Sequence, residues 1–180
     1  MKNLYNREFA EKYDKIDFKH FEKIRDLFLK HNFSGGNILD IGCGTGKLKL
    51  FLGDNFHYTG IDSSEFMLEF AKTRYDTIIE DNFENLLQKI ENKMFDFVFS
   101  LSSLVFFPKI EEYLSELKRI SKICVIVSFD DFNDIFINNF PKKVYNHTKI
   151  KIEKTLEDQY FYDYDSVLTN EKISTRLIIF

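Results

Sequence analysis

The chain has 180 residues, 44% of them hydrophobic, and a formal net charge of −4. That is the length of one domain with enough apolar material to bury a full core. The charge balance leaves no basic face of the kind that nucleic-acid binders carry, and no apolar run approaches the roughly 18 residues that span a bilayer. With 21 Phe and no Trp, the core is expected to be built on phenyl rings. The start Met-Lys-Asn-Leu-Tyr has no signal-peptide apolar region and there are two cysteines, Cys43 and Cys124, so the expected compartment is the cytosol.

In chain order, residues 8–31 read as helical, with Phe18, Phe21, Ile24, Leu27 and Phe28 at three-to-four spacing. Ser34-Gly35-Gly36 breaks that pattern. Ile38, Leu39 and Ile41 then form a short apolar run with one acid, Asp40, set into it, and Gly42, Gly44 and Gly46 follow at once. A buried strand breaking into such a loop brings backbone close to a ligand. Lys47 to Leu52 resumes as a helix whose first N–H groups face the same place. A dinucleotide site wants G-x-G-x-x-G with a pyrophosphate at the helix N-terminus. Here the spacing is G-x-G-x-G, and Asp40 would repel a pyrophosphate but suit a ligand with an ammonium group. S-adenosylmethionine (SAM) carries an ammonium, a sulfonium and a carboxylate, and no phosphate.

Ile38-Leu39-Asp40-Ile41-Gly42-Cys43-Gly44-Thr45-Gly46 resembles the first motif of the class I SAM-dependent methyltransferases, hydrophobic-hydrophobic-Asp-hydrophobic-Gly-x-Gly-x-Gly. The plain alternative is a glycine turn that only joins a strand to a helix. His57 to Ile61 reads as a second strand ending in Asp62-Ser63-Ser64. Asp62 stands 62 − 46 = 16 residues after the last glycine, near the place where an acid holds a ribose. Gly60 to Leu68, including Ser63 and Met67, is similar to the family's "G-hydrophobic-D-x-S-x-x-M-L" stretch, and Ser63 or Ser64 would cap a helix from Glu65.

A third strand, Thr77 to Glu80, ends in Asp81-Asn82-Phe83. The resemblance implies that Asp81 takes the adenine amine while Asn82 and Phe83 flank the ring. A cap for a helix over 82–91 is the competing role for Asp81. Phe95 to Ser100 is an Asp-led fourth strand with the tip Ser100-Leu101-Ser102-Ser103. In open α/β sheets ligands sit beyond the C-terminal strand ends where strand order reverses, so a methyl acceptor belongs near that tip. Its hydroxyls read either as substrate contacts or as helix caps.

With Pro108 and Pro141 as the two prolines, no Pro-Pro-aromatic signature of exocyclic-amine methylation exists. The histidines His20, His31, His57 and His147 form no ligand-spaced pair, so no metal site is expected. Further on, Ile110 to Ser121 reads as an amphipathic helix, Ile123 to Phe129 as a fifth strand and 131–139 as a helix. Val144 to Leu156 and Ile173 to Phe180 read as closing strands. Lys142 to Lys154 is locally basic, and the acids through Asp165 that follow suggest a solvated hairpin. Phe9 to Asp14 resembles an "A-x-x-Y-D" stretch in the N-terminal lid of small-molecule methyltransferases, which implies that Tyr13 closes over the methionine end of SAM.

The expected fold is a Rossmann-like, doubly wound α/β domain. Its seven-stranded sheet is mostly parallel with an antiparallel C-terminal strand. One domain spans 1–180, with a helical lid over 1–36, a SAM-binding core over 37–129 and closing elements over 130–180. The expected cofactor is SAM, with S-adenosylhomocysteine (SAH) as product, held by Tyr13, Asp40, Gly42, Cys43, Gly44, Thr45, Gly46, Asp62, Ser63, Met67, Asp81, Asn82, Phe83, Ser100 and Leu101. The expected partner is a small-molecule acceptor, with neither nucleic acid nor membrane, and no catalytic base is named. Two rivals share the fold: a non-catalytic SAM-binding partner protein, and an aminopropyl transferase, which would bring acids to the fourth-strand tip.

Overall fold

The computed structural model describes residues 5–16, 20–103, 106–107, 109–131, 160–168 and 171–179. The apolar runs form strands β1 (Gly36–Ile41), β2 (Phe56–Asp62), β3 (Thr77–Glu80), β4 (Phe95–Ser100) and β5 (Ser121–Asp131), followed by β6 (Tyr160–Leu168) and β7 (Glu171–Ile179). Between them stand helices α1 (Arg7–Lys15), α2 (His20–Lys30), α3 (Leu48–Leu52), α4 (Glu65–Ala71), α5 (Phe83–Leu86) and α6 (Ile110–Ile120). The strands pair in the order β3-β2-β1-β4-β5-β7-β6, parallel throughout except for β7, which runs against both neighbours. The chain winds outward from β1 to β3 and then returns to lay β4 beside β1. The order therefore reverses between β1 and β4, where an open α/β sheet offers its crevice.

Successive strand residues point to opposite faces, and both faces are covered. Ile38, Tyr58, Phe97 and Phe99 pack under Phe21, Ile24, Leu27 and Phe28 of α2, with Leu48, Leu68 and Ala71 from α3 and α4. Leu39, Ile61, Val98 and Val125 pack on the other face under Ile110, Tyr113, Leu114, Leu117 and Ile120 of α6. The phenyl-rich core is visible in Phe28, whose ring lies 4.8 Å from Phe97 and 5.5 Å from Phe56. At the far end of the sheet, the acid leading β4 is architectural. Asp96 accepts from the Asn37 amide at 2.7 Å, which holds its carboxyl below the ordinary range, and it faces Lys122 at 3.3 Å.

Several boundaries differ from the sequence reading. The single helix expected over 8–31 is two, because Ile16 is extended (φ −71°, ψ 131°) and its carbonyl accepts from the Lys47 ammonium. The helix expected over 82–91 is one turn, α5, continued by a 3-10 turn at Leu87–Lys89. Asp131, expected to open a helix, is the last residue of β5. The expected helix beyond it and the expected strand over 144–156 lie outside the described residues. β6 occupies Tyr160–Leu168, where the acids suggested a solvated hairpin. Its Tyr160-Phe161-Tyr162-Asp163-Tyr164-Asp165 start has an aromatic-acid alternation that fits a pleated strand.

Candidate cofactor site at the strand tips

The first strand ends in a loop whose sharpest turns fall on glycine. Gly42 and Gly44 lie at φ +70° and +53°, in the left-handed region. A Cβ added at Gly42 would come 2.8 Å from Cβ of Ser103, and one at Gly44 would come 3.3 Å from the Tyr13 ring. The loop is tied to its neighbours by its own amides. Gly42 and Cys43 donate to the Ile61 carbonyl at 2.8 and 3.1 Å, and Gly44 donates to Oδ2 of Asp62 at 2.9 Å. The other oxygen of Asp62 accepts from the Ser64 amide at 2.9 Å, and the Asp62 carbonyl accepts from the Asp81 amide at 3.2 Å. Ser103 donates to the Ile41 carbonyl at 3.2 Å. The tips of β1, β2, β3 and β4 therefore meet around one loop, with half-buried Asp62 at its centre and Asp81 and Asn82 beside it.

Beneath the loop lies the first-motif acid. Asp40 is 4% exposed and accepts from the Tyr75 hydroxyl at 2.6 Å. Burial, opposed by that hydrogen bond and reinforced by the charge of Asp62, pushes its carboxyl up to about 7. The Tyr75 ring stacks on Tyr58 at 5.1 Å. Burial also raises the Cys43 thiol well above its ordinary value, so Cys43 fills space under the loop. The Thr45 hydroxyl is fully buried and turned toward Asp14, whose carboxyl it helps to hold below its ordinary value.

Helix α1 lies over this loop. Asn6 caps it, accepting from the Phe9 amide at 2.9 Å, and Tyr5, Phe9 and Tyr13 follow one another at ring separations of 5.3 and 6.0 Å. Tyr13 faces Gly44, and the Lys47 ammonium lies 6.0 Å from its ring centre. Tyr5 reaches the β2 tip: its carbonyl accepts from Ser64 Oγ at 3.0 Å, and its phenol is raised by burial and then by the charge of Asp62. Ser64 also caps α4, as expected, accepting from the Met67 amide. The turn after α4, residues 72–75, delivers two side chains to the glycine loop. Tyr75 goes to Asp40 from below, and Arg74 goes to the Thr45 carbonyl at 2.7 Å and to Asp14 of α1 at 2.6 and 3.0 Å.

At the β4 tip Ser100 and Ser103 belong to a buried hydroxyl network. Ser100 is fully buried, 2.6 Å from the Ser103 hydroxyl and 2.9 Å from that of Tyr113 on α6. Tyr113 stacks on Phe107 at 3.8 Å. The network locks the tip and leaves Leu101 and Ser102 half-buried, with Ser102 at φ +54°. A groove of about 530 Å³ elsewhere on the sheet, under the short α5, is lined by Leu39, Ile79, Leu86 and Ile90 and contains none of the glycine-loop residues, Asp40, Asp62 or Asp81.

The sheet order, the glycine loop and its acids are accompanied by sequence likeness. The family described as "Methyltransferase domain" matches residues 38–123. That match spans just under half of the chain, and it covers the glycine loop and the acids that follow it. A curated relative, the malonyl-[acyl-carrier protein] O-methyltransferase of Acetivibrio thermocellus, is 28% identical over 134 residues, covering 71% of this chain and 46% of the relative. The chain spans less than half the length of the curated relatives that it matches. The solved magnesium protoporphyrin IX methyltransferase from Synechocystis with bound SAH superposes with a TM-score of 0.67 at 18% identity, covering 89% of this chain and 81% of that one. A SAM-dependent methyltransferase from Clostridium acetobutylicum gives 0.68 at 17% identity, covering 98% of each chain. At these identities the solved structures speak to the fold.

Tyr13, Asp40, Gly42, Gly44, Thr45, Gly46, Asp62, Ser63, Asp81, Asn82 and Leu101 lie at or just beneath the strand tips. Four other expected residues turn their side chains inward. Cys43 faces Gly60, Met67 lies on the inner side of α4, Ser100 points toward α6, and Phe83 packs edge-on against Phe107 and Tyr113. Tyr5, Arg74 and Tyr75 escaped the sequence reading, since none lies in a motif and each acts on a residue distant in the chain.

Proposed function

We propose that this chain binds SAM across the tips of β1 to β4 and transfers its methyl group to a small-molecule acceptor near Leu101 and Ser102, beneath α1. The observation that carries the reading is the pair Asp40 and Asp62, two acids on one face of adjacent strands around a left-handed glycine loop. That pair disfavours a pyrophosphate and suits a cationic, ribose-bearing ligand. The residues fit such a group: the loop has no Cβ at its closest approaches. Asp62 would accept from the ribose hydroxyls, Asp81 from the adenine amine, and Asp40 would lie nearest the ammonium. SAM, when bound, supplies an electrophilic methyl group on its sulfonium. This chain contributes alignment and exclusion of water: Tyr13 and α1 cover the loop, and the Ser100–Ser103–Tyr113 network keeps the β4 tip in place.

Thermal melts with SAH and with NAD test the placement. SAH at a hundredfold excess over its Kd should stabilise the fold by about 2.7 kcal/mol, and NAD should not. Stabilisation by NAD with no response to SAH would overturn the reading. A mass-spectrometric screen for SAM-dependent gain of CH₂ in a metabolite pool would then identify the acceptor.

A further inference from the structure

The position of Arg74 has no counterpart in the motifs above. Its guanidinium makes a two-pronged pair with Asp14 of α1, Nη1 to Oδ1 at 2.6 Å and Nη2 to Oδ2 at 3.0 Å. The same Nη1 donates to the carbonyl of Thr45 in the glycine loop at 2.7 Å. Both side chains are mostly withdrawn from solvent, at 20% and 17% exposure, unlike the outer pair Arg7–Glu69 at 58% and 44%. Screening is correspondingly weaker and the planar fork holds its geometry. The Asp14 carboxyl is accordingly held below its ordinary value, first by this hydrogen bond. One side chain thus joins a segment that covers the site to the loop that forms its floor.

We propose that Arg74 is a positioning residue, a latch that makes closure of α1 and the ligand-ready shape of the glycine loop a single event. The inference rests on the cofactor placement proposed above. Losing the latch would release the Asp14 end of α1 and the Thr45 carbonyl together, so ligand binding would have to order both. Lys47, which donates to the Ile16 carbonyl just beyond α1, would remain as a second, weaker tie. Lysine at position 74 would keep the charge, but a single ammonium lacks the fork needed to hold both Asp14 oxygens and the carbonyl.

The test is SAH affinity by calorimetry together with amide hydrogen exchange over residues 7–15, in the full chain. Arg74→Met should weaken SAH at least tenfold and speed exchange over 7–15. Asp14→Asn, isosteric and leaving Arg74 on Thr45, should weaken SAH about fivefold. The double variant should be within twofold of Arg74→Met, because both changes break one latch. Arg74→Lys should recover slow exchange in part and SAH affinity less. If Arg74→Met does not fold, Asp14→Asn and Arg74→Lys still decide the matter. SAH affinity within twofold of the parent in Asp14→Asn, or losses that simply multiply in the double variant, would overturn the latch alone. A parent chain that does not bind SAH would overturn the cofactor placement and the latch with it.

Discussion

Asp40→Asn should make the unliganded protein more stable at alkaline pH while impairing cofactor binding. Asp40 is 4% exposed, and its carboxyl rises from 3.8 to about 7 in the folded chain. Holding it ionised inside the fold therefore costs on the order of 4 kcal/mol, at about 1.4 kcal/mol for each factor of ten. Between pH 4 and 7 the folded chain keeps a proton that the unfolded chain has released, so stability falls as pH rises and levels off above about 7. Asparagine is neutral in both states, and its oxygen can still accept from Tyr75. Its buried NH₂ group offsets roughly 1–3 kcal/mol of the gain at every pH. The pH-dependent part survives: the stability difference between variant and parent should widen by about 3 kcal/mol from pH 4.5 to pH 8. Urea unfolding across that range measures it. A difference of the same size at both ends would show that Asp40 does not titrate as a buried acid, and the reasoning would fail.

Asp62→Ala should weaken SAH binding at least tenfold, and it should also lower unliganded stability by about 1–2 kcal/mol. The carboxylate holds the Gly44 and Ser64 amides, and half-exposure lets water replace it only in part. Calorimetric affinity equal to the parent's would remove Asp62 from the site. Gly44→Ala should destabilise by about 1–2 kcal/mol through its left-handed φ of +53° and should push Tyr13 off the loop. Unchanged melting and unchanged Tyr13 fluorescence polarisation on SAH addition would contradict that.

Local pattern carried the first four strands. Each is a short, mostly apolar run with an Asp in it or just after it, and the loop that follows β1 announces itself by spacing. Ser64 was legible as a cap because a cap and its helix are three residues apart. Arg74 and Tyr75 were not, since their partners Thr45 and Asp40 lie 29 and 35 residues away and no periodicity marks such pairs. The break at Ile16 was hidden for the same reason: an isoleucine suits a helix, and what holds it extended is Lys47, 31 residues on. Ser100 and Ser103 read as substrate contacts or helix caps at a tip. The strand's period of two turns Ser100 inward, to Tyr113. In β6 the acids masked an alternation that belonged to a strand.

The turn at 72–75 also bears on where this chain tolerates changes of length. Surface connections between a helix and a strand ordinarily absorb insertions. At Asp54 and Asn55, exposed between α3 and β2, that expectation stands. After α4 it does not. One extra residue between Ala71 and Arg74 would rotate adjacent side chains out of reach of Thr45 and Asp40 together. A segment that looks like a spacer on the outside of the domain therefore acts as a ruler, and indels there would be felt at the glycine loop before they were felt in the core.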